Sequence, residues 1–198
     1  MLTFNQAAEN NKEPIGNILV EAFSSCQLVL EIASGTAQHA VHMGKLLPHV
    51  IWQTSDLAGN LDAIRARLEA EAGDNVRPPF ELDVTHNPWP IKDIDAVYAA
   101  NAVHIMSWEH VKAMFAGLDK ALAKNSILAL YGPYKYEGEF TTKSNAQFDL
   151  WLKQNDPLSG IRDFETVDKL ARGIGLALIK DHKMPANNQL LLWQRQAT

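Results

Sequence analysis

One short run restricts the fold of this chain more than any other feature of its sequence. Across residues 28–39 an apolar segment ends at Glu31, passes through small residues with a single glycine, Gly35, and then opens a helix. In parallel-sheet proteins this order presents backbone amides at the helix N-terminus to a bound ligand. A second apolar run over residues 50–52 leads to Asp56. The two runs predict neighbouring strands of an open α/β sheet, with the Asp56 carboxylate placed to bind ribose hydroxyls.

Strands and helices alternate along the following residues. The hydrophobic pattern predicts strands at residues 28–33, 50–56, 80–84, 94–100 and 127–131, with amphipathic helices between them. Pro14 is expected in the first turn of an N-terminal helix, and Pro78 with Pro79 is expected to break the chain before the third strand. Ser107 is expected to cap the helix after the fourth strand, and Ser144 with Gln147 has capping-box spacing.

A pair of strands at the end of the sequence differs from these units. Residues 176–179 and 190–193 are apolar, and the segment between them spans only residues 180–189. A parallel crossover needs a dozen residues or more, so the pair is predicted to be an antiparallel hairpin. Five strand–helix units followed by such a hairpin predict an α/β fold in a single domain over residues 1–198.

Composition excludes several classes of function. The formal charge of −5 and the pI near 5.8 argue against nucleic acid or an anionic membrane as a main partner. Cys26 is the sole cysteine, so an internal disulfide and a cysteine-rich metal cage are excluded. No apolar run has the length of a membrane span, and the charged N-terminus does not resemble a signal peptide. His39 and His42 share a helix face without a third ligand, so no metal is predicted. We expect a cytoplasmic protein.

The turn after the first strand indicates which nucleotide-like ligand to expect. A dinucleotide fingerprint uses three glycines, whereas residues 33–37 contain one, which suits a pyrophosphate poorly. S-adenosylmethionine carries no phosphate; it presents an ammonium-carboxylate end, a sulfonium, a ribose and an adenine. Glu31 is expected to meet its amino group, Asp56 the ribose, Asp83 with Val84 the adenine edge, and Asn101 the methionine portion. Helix capping by Asp56 and simple strand termination at Asp83 are the alternatives.

Several segments resemble one family. The chain resembles class I S-adenosylmethionine-dependent methyltransferases over nearly its whole length, and more closely the methyltransferase-like 26 family, also called domain of unknown function 938. The segments that carry this are residues 7–15, 30–36, 101–105, 131–134, 144–149, 156–157, 160–163 and 184–188. The resemblance implies a seven-stranded sheet in the order 3-2-1-4-5-7-6 with the seventh strand antiparallel, and cofactor roles for Glu31, Gly35, Asp56 and Asp83. It implies no particular substrate. Many relatives carry glycine where this chain has Ala37.

The remaining candidates follow from position along the chain. His104 follows the fourth strand and is the candidate catalytic base; a hydrogen-bonded structural histidine is the alternative. Further cofactor contacts are expected from Ala33, Ser34, Thr36 and Leu57, and from Lys12 if residues 10–12 form a lid rather than a helix cap. Tyr131, Tyr134, Asn187 and Asn188 are candidate substrate-binding residues, with packing or turn formation as the alternative.

We therefore expect a methyltransferase that acts on a small molecule, or less favourably on a protein side chain. A non-catalytic module that binds S-adenosylmethionine or S-adenosylhomocysteine and a nucleotide-cofactor oxidoreductase remain the alternatives. The sequence does not determine the oligomeric state.

Overall fold

The computed structural model describes residues 2–196. Its helices are α1 Gln6–Ala22, α2 Gln38–Leu46, α3 Leu61–Glu71, α4 Trp108–Ala121, α5 Lys143–Asn155 and α6 Phe164–Gly173. Its strands are β1 Leu28–Glu31, β2 Ile51–Asp56, β3 Val76–Glu81, β4 Ile94–Ala100, β5 Leu122–Gly132, β6 Tyr134–Tyr136, β7 Glu139–Phe140, β8 Arg162–Asp163, β9 Leu176–Met184 and β10 Asn188–Arg195. No helix within residues 2–196 combines the length and the apolar character that crossing a membrane requires.

Seven of these strands form one sheet in the order β3-β2-β1-β4-β5-β10-β9. The strands from β3 to β5 are parallel, whereas β10 is antiparallel to both β5 and β9. This confirms the α/β fold, the predicted strand order and the predicted hairpin. A second, three-stranded sheet, β7-β6-β8, was not predicted, because strands of two or three residues are too short to show an alternating pattern.

Each face of the large sheet packs against its own set of helices. Val29 belongs to the core beneath α1, α2 and α3, and its neighbour Leu30 belongs to the core beneath α4 and α6. Successive side chains of a strand point to opposite faces, so a strand covered on both sides needs apolar residues at successive positions. This is why the inner strands are continuous apolar runs in the sequence. Helices on both faces leave the carboxyl ends of the parallel strands free to form a site.

The third strand differs from the prediction. It spans Val76–Glu81 rather than 80–84, and Pro78 and Pro79 lie inside it. The strand is at the edge of the sheet, and its register with β2 shifts between Gln53 and Ser55, opposite the two prolines. An edge position and an irregularity are where a strand tolerates residues without an N–H donor. Asp83 and Val84 therefore lie in the loop that follows the strand.

Two helix starts also differ from the prediction. Helix α1 begins at Gln6, with the Asn5 side chain accepting from the Ala8 N–H, so Pro14 lies inside the helix and residues 10–12 are helical. Thr142, not Ser144, caps α5 by accepting from the backbone N–H of the residue three positions on. The predicted cap of α4 is confirmed, since the Ser107 side chain accepts from the His110 N–H at 3.2 Å.

Candidate active site

A cavity of about 510 Å³ lies at the carboxyl ends of the parallel strands. Its volume is in the range of small-molecule sites, and its position is where open α/β sheets bind ligands. The described residues that line it come from the loops after β1 to β4, the first turn of α4 and the loop after α5: Ile32, Ala33, Gly35, Asp56, Leu57, Asn60, Leu82, Asp83, Val84, Ala100, Asn101, Ala102, Ile105, Met106, Ser107, His110, Asp156 and Leu158. Of the predicted site residues, Ala33, Gly35, Asp56, Leu57, Asp83, Val84 and Asn101 are among them.

The turn after β1 has an unusual backbone. Ala33, Gly35 and Ala37 have φ angles of 58°, 56° and 57°, all in the left-handed region. A residue with a side chain adopts this conformation at a cost of about 1–2 kcal/mol, and glycine adopts it freely. Three glycines would suit these alternating positions, yet the sequence provides one. The left-handed conformation of Ala33 and Ala37 could therefore not be predicted from the local sequence, and packing of the surrounding loops has to stabilise it.

Asp56 joins this turn to the loop after β2. Its carboxylate accepts from the backbone N–H of Gly35 and of Leu57 and from the side-chain amide of Asn60, each at 2.7 Å. The residue is buried but still lines the cavity. One carboxylate thus fixes two adjacent loops at the cavity wall. It does not cap a helix, because Leu57 and Asn60 are the N-cap residues of the 3-10 helix 58–60 and of α3, so the alternative of helix capping is wrong.

Glu31 lies behind the cavity rather than on its wall. The carboxyl group accepts from the Ser34 hydroxyl at 2.9 Å and from the Trp52 indole N–H at 3.1 Å. Burial raises the pKa of Glu31 to about 7, with these two hydrogen bonds opposing the shift and the nearby charge of Asp56 adding to it. The side chain can therefore change its ionisation when a charged group approaches at neutral pH.

The third acidic position of the prediction lies in the loop after β3. Asp83 accepts from the backbone N–H of Thr85 at 2.9 Å and from its hydroxyl at 2.7 Å. These hydrogen bonds lower the pKa of Asp83 and keep the side chain charged. Asp56, Asp83 and Asp156 all line the cavity, and its described wall contains no lysine or arginine. The cavity is accordingly a region of negative potential.

Asn101 and His104 lie beside the end of β5. Asn101 lines the cavity with a left-handed φ of 55°, and its N–H donates to the Tyr131 carbonyl at 2.8 Å. His104 does not line the cavity. Its ring is buried edge-on against Phe148, with 5.6 Å between centroids, and burial lowers the pKa of His104 to about 4. A Cβ on Gly132 would come within 3.2 Å of His104 Nδ1 and 3.9 Å of Asn101 Oδ1, so the glycine leaves room for both.

The N-terminal residues are fastened to the turn after β1. Lys12 pairs with Glu9 at 2.5 Å, and Glu9 accepts from the side-chain amide of Gln38 at 2.9 Å. Gln38 Oε1 in turn accepts from the Asn5 N–H at 2.7 Å and from the Thr36 hydroxyl at 3.0 Å. Lys12 and Thr36 do not line the cavity. Glu9 and Gln38, which sequence reasoning missed, connect the two residues to each other.

The four predicted substrate-binding residues are not on the cavity wall. Tyr131 and Tyr134 are both buried; burial raises the pKa of Tyr131, and the side chains of Asn11 and Asn188 oppose that rise. Asn187 donates from its side chain to the Ser144 hydroxyl at 3.2 Å, and its carbonyl accepts from the Asn145 amide at 3.0 Å. These contacts show a packing role for the group. They leave its predicted role toward a substrate without support from the cavity geometry.

The sequence analysis did not identify the residues that form one wall of the cavity. Asp156 and Leu158 lie in the loop between α5 and β8, next to Ile105 and Met106 from the loop after β4. Arg162 joins the two loops, because its guanidinium donates to the carbonyls of Val103 at 3.2 Å, of Met106, and of Leu158 at 2.9 Å. The pairing of these two loops depends on long-range contacts that no local pattern in the sequence reveals.

A metal centre is not assembled within residues 2–196, where no group of three or more His, Cys, Asp or Glu side chains could hold an ion. His39 instead lies 2.6 Å through its Nε2 from Asn11 Oδ1 and stands edge-on to Tyr98. The absence of a metal remains a prediction for the whole chain.

Comparison with known proteins gives one family match and many similar folds. The family model described as protein of unknown function (DUF938) matches residues 2–195. An O-methyltransferase family protein from Burkholderia thailandensis superimposes with a TM-score of 0.84 at 20% identity, covering 98% of this chain and 59% of that one. The S-adenosylmethionine-dependent methyltransferase SibL gives 0.77 at 18% identity, covering 94% and 56%. PigF with SAH gives 0.76 at 16%, covering 87% and 52%. The chain thus has the fold of these proteins and spans little more than half their length.

Proposed function

The chain belongs to the family described as protein of unknown function (DUF938), and from that premise we propose that it is an S-adenosylmethionine-dependent methyltransferase acting on a small molecule. The segments that resemble the methyltransferase-like 26 proteins support placing it with that group. A cytoplasmic location, a single domain over residues 1–198 and the lack of a nucleic-acid partner belong to the same proposal. The net charge of −5 supports the last of these.

The charge of the cavity is the observation that carries the proposal. Three carboxylates and no lysine or arginine belong to its described wall. Such a wall attracts the sulfonium of S-adenosylmethionine and repels the pyrophosphate of a dinucleotide. The folds that resemble this one include proteins described as methyltransferases, and one of them holds SAH. Charge and fold therefore favour the methyl donor over NAD.

Residues at the ends of four strands, β1 to β4, would contact different parts of the donor. Asp56 would accept hydrogen bonds from the ribose hydroxyls, and Asp83 would accept one from the exocyclic amine of adenine, whose faces Leu57 and Val84 would cover. The turn with Ala33, Ser34 and Gly35 would approach the methionine end, and Asn101 would lie near the methyl group. Glu31, Lys12 and Thr36 would act on the amino and carboxylate groups from behind the wall, directly or through water.

Methyl transfer places few chemical demands on the protein. The donor supplies an activated methyl group, so this chain contributes alignment of the acceptor with that group and exclusion of water. A base is needed only where the acceptor must lose a proton that water does not remove readily. His104 remains the predicted base. The low pKa of His104 keeps the ring neutral at neutral pH, in the form that accepts a proton, but makes it a weak base.

Calorimetry with S-adenosylhomocysteine, S-adenosylmethionine and NAD tests the proposal directly. We expect both sulfur compounds to bind and NAD not to bind. Asp56→Asn removes the charge and one of the two carboxylate oxygens, so it should weaken S-adenosylhomocysteine binding by about 1.4 kcal/mol, or roughly tenfold. Asp62→Asn is the matched control, because Asp62 is exposed on α3 and pairs with Arg65.

Three results would contradict parts of this proposal. Binding of NAD without either sulfur compound would select an oxidoreductase. Equal affinities in Asp56→Asn and Asp62→Asn would remove Asp56 from the site. Tight binding of the donor with no methyl release over a broad metabolite panel would favour a non-catalytic binding module.

A further inference from the structure

The loop after α5 places a carboxylate, that of Asp156, and an aliphatic side chain, that of Leu158, on the cavity wall. Resting on the function proposed above, we propose that the methyl acceptor is a small amine with an apolar body, bound as its ammonium form by Asp156 against Leu158 and Ile105. Asp156 is then the residue that determines acceptor specificity.

The position of this wall separates it from the groups assigned to the donor. Asp83 follows β3 at the edge of the sheet, and Asp56 follows the adjacent strand β2. The loop with Asp156 instead contacts the loop after β4, where the Gly160 N–H donates to the His104 carbonyl at 2.8 Å. Asp156 therefore lies at the β4 end of the cavity, on the side of Asn101, where the methyl group is expected.

The carboxylate of Asp156 is only partly used by the protein. Its Oδ1 accepts from the Leu158 N–H at 2.9 Å, which shapes the turn, and its other oxygen accepts no hydrogen bond from the described residues. The charge of Arg162 is felt at Asp156, but the guanidinium N–H groups are directed at the carbonyls of Val103, Met106 and Leu158. A carboxylate oxygen on the wall of a cavity without lysine or arginine favours an ammonium group and disfavours a phenolate or carboxylate.

The surroundings of Asp156 are apolar. Leu158 and Ile105 line the cavity while 65% and 53% of their surfaces are exposed, so an occupant could cover large aliphatic side chains on both sides. An acceptor that buries this surface gains from the hydrophobic effect, which an amine without an apolar body would not.

The proposed reaction balances without a further reagent. The bound ammonium first releases one proton to solvent at the open mouth of the cavity. The nitrogen lone pair then forms the bond to the methyl carbon, while the methyl–sulfur bond breaks and its electron pair stays on sulfur as a neutral thioether. The product is a methylated ammonium ion. No oxidant, reductant or metal is required.

The test uses matched acceptors that differ in their charged group. Wild-type protein is assayed with methyl-labelled S-adenosylmethionine and 2-phenylethylamine, 2-phenylethanol or 3-phenylpropanoate, and the binding of each to the protein saturated with S-adenosylhomocysteine is measured by calorimetry. We expect the amine to be methylated and to bind at least about tenfold more tightly than the other two, as a charged hydrogen bond provides.

Asp156→Asn tests the assigned residue, because asparagine keeps the oxygen that shapes the turn and removes the charge. We expect it to weaken amine binding by about tenfold and to leave the affinity for S-adenosylhomocysteine within about twofold of wild type. Asp74→Asn is the control. Asp74 is exposed and precedes β3, so it lies at the amino end of that strand, whereas the cavity is at the carboxyl ends of the parallel strands.

The outcomes separate this inference from the proposed function. If wild-type protein does not bind S-adenosylhomocysteine, the methyltransferase proposal fails and this inference fails with it. If that compound binds but the amine does not bind at millimolar concentration, or the alcohol or carboxylate is the better acceptor, only the amine proposal is overturned. Equal amine affinities in Asp156→Asn and Asp74→Asn would likewise overturn the role of Asp156.

Discussion

Glu31 ends β1 with a buried carboxyl group whose ionisation depends on its surroundings. Folding raises the pKa of Glu31 from 4.5 to about 7, chiefly by burial. The folded protein therefore binds a proton more readily than the unfolded chain between these two pH values. The resulting stabilisation is fully present below pH 4.5 and is lost as the pH rises through 7.

Glu31→Gln should remove this dependence on pH. Wild type loses stability between pH 5 and pH 8 and the variant does not, so we expect the free energy of unfolding of the variant minus that of wild type to be larger at pH 8 than at pH 5, by up to about 3 kcal/mol. Urea denaturation of both proteins at the two pH values measures it. Burial lowers the pKa of His39 and His104 to about 4, which makes stability rise with pH between 4 and 6.5, but both proteins share these residues. An unchanged difference between the proteins at the two pH values would contradict the prediction.

At the scale of elements, Arg162 joins the loop after β4 to the loop after α5, and these two loops form one wall of the cavity. Three backbone carbonyls from residues 103–106 and 158 accept from this one guanidinium. A lysine has a compact ammonium group and cannot reach three acceptors with the same planar geometry. The relative position of the loops therefore depends on the shape of the arginine side chain as much as on its charge.

Arg162→Lys should loosen the wall while leaving the sheet intact. We expect amide protection in residues 156–161 to fall about tenfold, since the loss of charged hydrogen bonds is worth about 1.5–3 kcal/mol. Hydrogen exchange followed by mass spectrometry measures this, with Arg65→Lys on the exposed face of α3 as the control. Equal protection in both variants would show that the loops hold each other without Arg162.

The elements also show what the sequence could and could not reveal. The hairpin and Ser107 as the α4 cap follow from hydrophobic periodicity and turn chemistry, the strand order was implied by the family resemblance, and the structure has all three. The predicted range of the edge strand β3 was wrong because the strand contains two prolines. A strand tolerates them only at the edge of a sheet, and that position is a property of the tertiary structure. The turn at Gly35 was recognisable, whereas left-handed Ala33 and Ala37 oppose the local preference. The wall with Asp156 arises from contacts between distant segments.

For the whole molecule, charge and shape favour the same ligand. The protein has a net charge of −5, and three carboxylates lie on the wall of the cavity. A cation approaching this edge of the sheet is attracted over distances of about 10 Å at moderate ionic strength, and added salt screens the attraction.

The two forms of the proposed cofactor should therefore respond differently to salt. S-adenosylmethionine carries a sulfonium that S-adenosylhomocysteine lacks. Raising sodium chloride from about 20 mM to about 300 mM should weaken binding of the former by several-fold and change the latter much less. Calorimetry at both salt concentrations measures the two affinities. A parallel loss for both compounds would mean that the potential of the cavity does not act on the sulfur.

The position of β10 inside the sheet has a consequence for how the protein is made. Strand β9 is synthesised before β10 but joins the sheet only through it, because β10 pairs with β5 on one side and with β9 on the other. While the chain grows from the ribosome, β5 and β9 must wait with unpaired backbone groups for the later segment. Such strands are prone to aggregate, so this interval is where a chaperone would have most effect on yield.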